Sequence, residues 1–141
     1  MFNTIGGILY SPEWDALVGR IQGDLEEVVS SSCAISRALG FGSWSIKELD
    51  TNHLVLQTGS EYESPYCTAV LNQSNPGTSY FLQGAALAFM RLWEALDWQA
   101  RPALNQDLYN QLFRSGKQWK VEQTQTLSAG DPVTEILVTR A

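Results

Sequence analysis

The stretch "YFLQGAALAFMRLWEALDW", Tyr80 to Trp98, constrains this chain more than any other. Apolar residues cover most of its circumference when it is wound as a helix, and such a helix is stable only when surrounded. Thr78 or Ser79 can cap it. Phe81, Phe89, Met90 and Trp93 are bulky, whereas Gly84, Ala85 and Ala88 are small. Small residues on a buried helix let another backbone approach closely or leave room for a ligand. The rest of the chain must supply the surfaces that enclose it.

Upstream, Ser11 is a capping residue, Pro12 suits the first helical position, and Glu13 and Asp15 complement the positive end of a helix dipole. Trp14, Leu17, Ile21, Leu25 and Val28 then recur at three and four, the stripe of an amphipathic helix. "SSSC" (Ser30 to Cys33) is weak helix sequence and is expected to separate this helix from a short second one, Ala34 to Leu39, ended by Gly40. "SWSIKELD" and "HLVLQTGSEYE" alternate around the turn residues Asp50 to Asn52 and read as a hairpin, with Trp44, Ile46 and Glu48 set against Ser45, Lys47 and Leu49. Ser64 to Gly77, with two Pro and two Asn, reads as loop.

After the central helix, Asn105 to Phe113 reads as a short helix with Leu104, Leu108, Leu112 and Phe113 as its stripe and Gly116 as its stop. "QWKVEQTQTL" and "TEILVTR" form a second hairpin around Gly130, Asp131 and Pro132. Two hairpins separated by helices predict an α+β fold in one domain spanning residues 1–141: an antiparallel sheet with helices packed on one face.

Charged residues make up only 17% of the chain, against 44% hydrophobic, with five Trp, five Tyr and five Phe. Globular domains average about 25% charged. The surplus of aromatic surface is thus expected either in the core or against a ligand or partner subunit. The net charge is −6 and the nine Lys and Arg are scattered. Nucleic acid and anionic membrane surfaces, which need a basic stripe, are rejected as partners. No run approaches the about 18 apolar residues of a membrane span, and "MFNTIGGILYSPEW" lacks a basic leader region, so a cytoplasmic protein is expected. Cys33 and Cys67 show no zinc-site spacing and are expected as free thiols packed as small apolar groups.

No enzyme signature stands out. His53 is the one histidine and lies at a strand start. There is no GxSxG elbow and no GxxxxGK[ST] loop, and "GFGSW" does not have dinucleotide-loop spacing. Glu61 and Glu63, two apart on an expected strand, would share one face and could do acid/base work if desolvated; a solvated strand end is the competing reading.

The last two strands resemble the 4-vinyl reductase domain, also called the hydrocarbon-binding domain, whose C-terminus runs "VEETxCxxxGDPxCEF". Val121, Glu122, Thr124, Gly130, Asp131, Pro132 and Glu135 fall in register with it. "LGFGSWSI", "GSEYES" and "YFLQGAALAF" follow the family's upstream order, so the resemblance runs from about Leu39 to Ala141; the short helix Asn105 to Phe113 is not part of the pattern. In this register Thr126 and Thr134 stand where many family members carry zinc-binding cysteines. A hydroxyl is a poor zinc ligand, and Cys67 alone cannot close a tetrahedral site, so no zinc and no cofactor are expected. Threonine also simply favours paired strands.

The resemblance implies a fold shared with TRAPP vesicle-tethering subunits, a homodimer, and an apolar pocket for a hydrocarbon or a tetrapyrrole such as a chlorophyll precursor. The expected ligand contacts are Trp44, Phe81, Gly84, Ala85, Ala88, Phe89 and Trp93, with Tyr66 or Tyr80 as an anchoring hydroxyl. The leading expectation is a non-catalytic module binding a hydrophobic small molecule. The alternatives are a ligand-free interaction subunit and, third, a tetrapyrrole-modifying enzyme or its accessory factor, with Glu61, Glu63 or His53 as proton donor.

Overall fold

The computed structural model describes residues 24–70, 79–95, 106–114 and 119–141, together with Pro12. The expected cap at Ser11, the stripe residues Trp14, Leu17 and Ile21, and the segment from residue 71 to 78 lie outside the described residues.

Helix α1, Leu25–Ala38, starts where the Asp24 side chain accepts the Glu26 N–H at 3.0 Å. Glu26 and Glu27 sit in its first turn and Arg37 in its last, as the helix dipole favours. The serines do not break it, contrary to expectation. Ser30 Oγ donates to Glu27 O at 3.2 Å and Ser32 Oγ to Val28 O at 2.8 Å, so both hydroxyls fold back onto their own helix. Burial of Leu25, Val28, Val29 and Cys33 along one stripe carries the helix through that weak stretch. It ends in a Schellman turn: Gly40, at φ 81°, donates to Arg37 O and Phe41 donates to Ser36 O.

Strands β1, Trp44–Leu49, and β2, His53–Thr58, form the expected hairpin. Its turn is closed by Asp50 Oδ1, which accepts the Asn52 and His53 N–H groups at 2.6 and 2.9 Å. A bulge at Lys47 shifts the register between Ile46 and Glu48. The simple alternation therefore fails past Ile46: Leu49 pairs with Leu54 and packs on the core, while Glu48 is exposed.

Helix α2, Glu63–Val70, occupies the start of the stretch that reads as loop. Pro65 falls in its first turn, where no intrahelical N–H is needed. Helix α3, Tyr80–Ala95, is the central helix; Leu82, Ala86, Ala88 and Met90 are buried. Helix α4, Gln106–Phe113, packs against it. Strand β3, Trp119–Gln125, a 3-10 turn at Leu127–Ala129 and strand β4, Thr134–Arg140, complete the described elements. Gly130, at φ 92°, ends the 3-10 turn.

The four strands line up in the order β1-β2-β4-β3, every pair antiparallel, which sets the two hairpins side by side. α1 and α3 cover one face. The core there joins Leu25, Val29 and Cys33 of α1 to Ala86 and Met90 of α3 across Leu54, Leu56, Ile136, Val138 and Trp119 of the sheet. Burial pushes the Cys33 thiol up to about 11, so it stays protonated and acts as a small apolar filler. The end of α3 is clamped to the sheet: Trp119 Nε1 donates to Glu94 at 2.9 Å, Arg140 pairs with the same carboxylate, and its guanidinium lies 5.5 Å from the Trp119 ring. No helix among the described residues is long and apolar enough to cross a membrane.

Gly42 sets the entry to β1. It sits at φ 122°, and a Cβ built on it would lie 2.8 Å from Ser60 O and 2.9 Å from Trp44 Nε1. Gly40 is left-handed too but has nothing within 4 Å. Gly42→Ala should therefore cost about 2 kcal/mol or more, by strain plus clash, and Gly40→Ala only about 1 kcal/mol. Urea unfolding checks this, and equal losses at the two positions would refute it.

Candidate functional site

Glu61, Glu63, Thr126 and Thr134 gather at the end of the sheet where β2 leaves and β4 enters. Thr58 and Thr134 face each other there as the last paired residues of β2 and β4, and both are buried. Thr58 Oγ1 lies 2.9 Å from Ser43 O and 2.7 Å from Ser60 O and accepts the Ser60 N–H at 3.1 Å, which gathers the chain before β1 and after β2.

Glu61 follows, and it is buried at 6% exposure. It is not on a strand, contrary to expectation. Its carboxylate precedes α2 and accepts the Glu63 N–H at 2.5 Å and the Ser64 N–H at 3.0 Å, the orphan donors of a helix start. Thr134 Oγ1 donates to the same carboxylate at 3.3 Å. Glu63 is the first residue of α2 and reaches across to α3, where its two oxygens accept the Phe81 and Leu82 N–H groups at 3.2 and 3.4 Å. Ser79 immediately precedes α3, but these first-turn donors go to Glu63, and the Ser79 N–H itself goes to Gln123 Oε1 at 2.8 Å. The two acids expected to share a face are thus successive helix caps. Burial raises the Glu63 pKa above the usual carboxylate range; the two N–H donors oppose the rise and neighbouring Glu61 adds to it. The adjacent Tyr62 hydroxyl is pushed up by burial and by the same two carboxylates.

Both threonines have local tasks. Thr126 caps the 3-10 turn, its Oγ1 accepting the Ser128 N–H at 3.3 Å, and its own N–H donates to Asp131 Oδ2 at 2.8 Å. Thr134 Oγ1 accepts the Leu127 N–H at 3.1 Å while donating to Glu61. The positions where the resemblance would put zinc-binding cysteines thus hold hydroxyls committed to hydrogen bonds, and this donor set does not fit a zinc ion. Among the described residues no group of three or more His, Cys, Asp or Glu side chains is placed to hold a metal.

An open cleft of about 450 Å³ lies beside this knot, lined by Gly59, Ser60, Glu61, Ser64, Pro65, Ala69 and Leu127. One wall is the start of α2 and the other is the 3-10 turn. Sequence reasoning missed it because Ser64 to Ala69 read as loop; the signal available was Pro65 four residues after an acid, which together suit a helix start.

The expected ligand contacts fall into separate places. Trp44, Phe89 and Trp93 are half-buried against the core, Ala88 is buried and Ala85 half-buried on α3. Phe81 joins Phe41 and Tyr62 in an aromatic trio, 4.9 and 6.1 Å between ring centres. Gly84 is exposed, with open space where a Cβ would go. Tyr66 and Tyr80 are 56% and 79% exposed. His53 Nδ1 lies 2.7 Å from Asp50 and its Nε2 3.3 Å from Glu48, which ties it to its own hairpin. Side-chain contacts of Cys67 lie outside the described residues.

Behind the knot, on the sheet face opposite α1 and α3, Lys47 reaches across β2 to Glu135 at 2.7 Å, and Thr124 donates to the other Glu135 oxygen at 2.8 Å. Lys47 and Thr124 hold the Glu135 carboxyl below its usual range, and Glu135 raises the Lys47 pKa.

No family model, no curated protein and no solved structure matches this chain.

The Glu63 cap has a signed pH signature. Its folded value lies above the unfolded one, so its contribution to stability is fully present below the unfolded value and is lost as pH rises through the folded one. Glu63→Gln, neutral throughout, should abolish that decline, whereas Glu63→Ala removes both acceptors and costs about 1–2 kcal/mol. Urea midpoints from about pH 4 to about pH 8 test this; an unchanged slope in Glu63→Gln would show that another group titrates.

Proposed function

We propose that this chain is a non-catalytic binding module that holds a hydrophobic small molecule in the cleft between α2 and the 3-10 turn. The observation that carries the reading is the cleft itself: about 450 Å³, with Pro65, Ala69 and Leu127 as apolar lining and Ser60, Ser64 and Glu61 as polar groups. Small-molecule sites typically span roughly 300–1,000 Å³ and pair an apolar lining with a few fixed polar atoms. The resemblance to the hydrocarbon-binding domain points to the same ligand class, an aromatic hydrocarbon or a tetrapyrrole. A cytoplasmic setting and a homodimer belong to this reading, and the homodimer rests on the resemblance.

The acid/base candidates support a binding role over an enzymatic one. Glu61 and Glu63 accept helix N–H groups, and His53 is held within its own hairpin. A proton donor needs a free position facing a substrate; Glu63 and His53 are engaged away from the cleft, and Glu61, although it lines the cleft, is committed to the Glu63 and Ser64 N–H groups.

A second reading, a protein-interaction subunit, is favoured by one observation. Tyr62, just before α2, and Tyr66 and Val70 on it recur at four and are 42%, 56% and 60% exposed. Tyrosines on a surface stripe are the side chains that dominate protein interfaces.

Native mass spectrometry of the purified protein, mixed in turn with naphthalene and with protoporphyrin, separates the two. The binding module should retain one of them, and Ala69→Trp, which places a bulky ring at the cleft wall, should weaken retention at least about tenfold without altering the fold. A protein that takes up neither probe moves the assignment to the interaction subunit.

A further inference from the structure

We propose that α2 is the lid of this cleft: it opens and recloses as one body while the sheet, α1 and α3 stay folded. The inference rests on the reading of the cleft as the ligand site. Its first support is how α2 is attached. Among its described side chains only Ser64 is buried; Pro65, Tyr66, Ala69 and Val70 are exposed, so the described part of the helix contributes little apolar burial. Among the described residues the contacts that hold it lie at its start: two carboxylate caps, and the Tyr62 ring just before it against Phe41 and Phe81. Glu61 ties the helix start to Thr134 of β4, next to the exposed Gly59 and Ser60. Glu63 ties it to the first turn of α3 through two hydrogen bonds of 3.2 and 3.4 Å.

The second support is what lies opposite. The 3-10 turn faces α2, with Leu127 across the cleft from Pro65 and Ala69. Swinging α2 outward breaks the Glu63 latch at the α3 end, draws Tyr62 away from Phe81 and parts these two walls. Opening also returns the Glu63 carboxylate to water, which offsets part of the loss of its two hydrogen bonds. Elements of this kind, with few buried contacts and a polar latch, occupy the low-stability end of a protein's opening spectrum.

Amide hydrogen exchange followed by NMR reads the lid without any ligand. The Glu63 to Val70 amides should share one opening free energy, and the Phe81 and Leu82 amides, although in α3, should exchange with them. The β2 and β4 amides should exchange at least about tenfold more slowly. Glu63→Ala should speed the α2 block by about tenfold and leave β2 and β4 unchanged, and the milder Glu63→Gln should speed it less. Naphthalene at about ten times its Kd should slow the block about tenfold. If α2 exchanges together with β2 and β4, or if Phe81 and Leu82 follow the rest of α3, the lid is refuted while naphthalene uptake still stands for the binding reading. Block opening in a protein that retains neither naphthalene nor protoporphyrin overturns the binding reading and removes the lid's role with it.

Discussion

Everything at one end of this molecule hangs on two carboxylates accepting helix N–H groups. The start of a helix leaves four donors without partners, and burying them unpaired is costly. Here Glu61 meets two of those of α2 and Glu63 two of those of α3. Because Glu61 also accepts from Thr134, and Gln123 accepts the Ser79 N–H, both helix starts are keyed to the β3–β4 hairpin. The far end of α3 is keyed to the same hairpin by Glu94 with Trp119 and Arg140. The central helix is therefore registered at both ends against two strands, and the apolar contacts between them fill a space whose length is already set.

That arrangement gives the sheet two unequal faces. Leu54, Leu56, Ile136 and Val138 point under α1 and α3. The other face carries the Lys47–Glu135–Thr124 link, which spans three strands. Its ions give stability in complementary ranges. The Glu135 contribution is present above its unfolded pKa and lost as pH falls through the folded value, and the Lys47 contribution is lost as pH rises past its own folded value. The link is thus fully effective across the neutral range.

How much of this was legible in the sequence follows from which interactions are local. α3 and both hairpins were readable because their patterns, an all-round apolar helix and alternation about Asp50–Asn52 or Gly130–Pro132, come from neighbouring residues. The Schellman turn at Gly40 was readable for the same reason. The continuity of α1 through three serines was not, since it depends on burial of Val28, Val29 and Cys33 against a distant sheet. Nor was α2, whose start is stabilised by an acid two residues ahead and by Thr134, 73 residues away. The cleft brings Pro65 and Ala69 to Leu127 from distant parts of the chain, so no local pattern announces it. The threonines at 126 and 134 could be singled out by their place in the chain, but their work became visible only with the partners in view.

The bulges at Lys47 and at Thr124 fall in β1 and β3, the two outer strands. A regular outer strand offers an unbroken ladder of N–H and C=O groups that a second chain can copy and extend into a cross-β stack. Here each ladder is interrupted partway, with a lysine at one break and a threonine at the other, so neither edge offers an invading strand more than a few consecutive rungs. Among the described strands both edges thus disfavour growth by sheet extension, which complements the mutual repulsion that a net charge of −6 supplies.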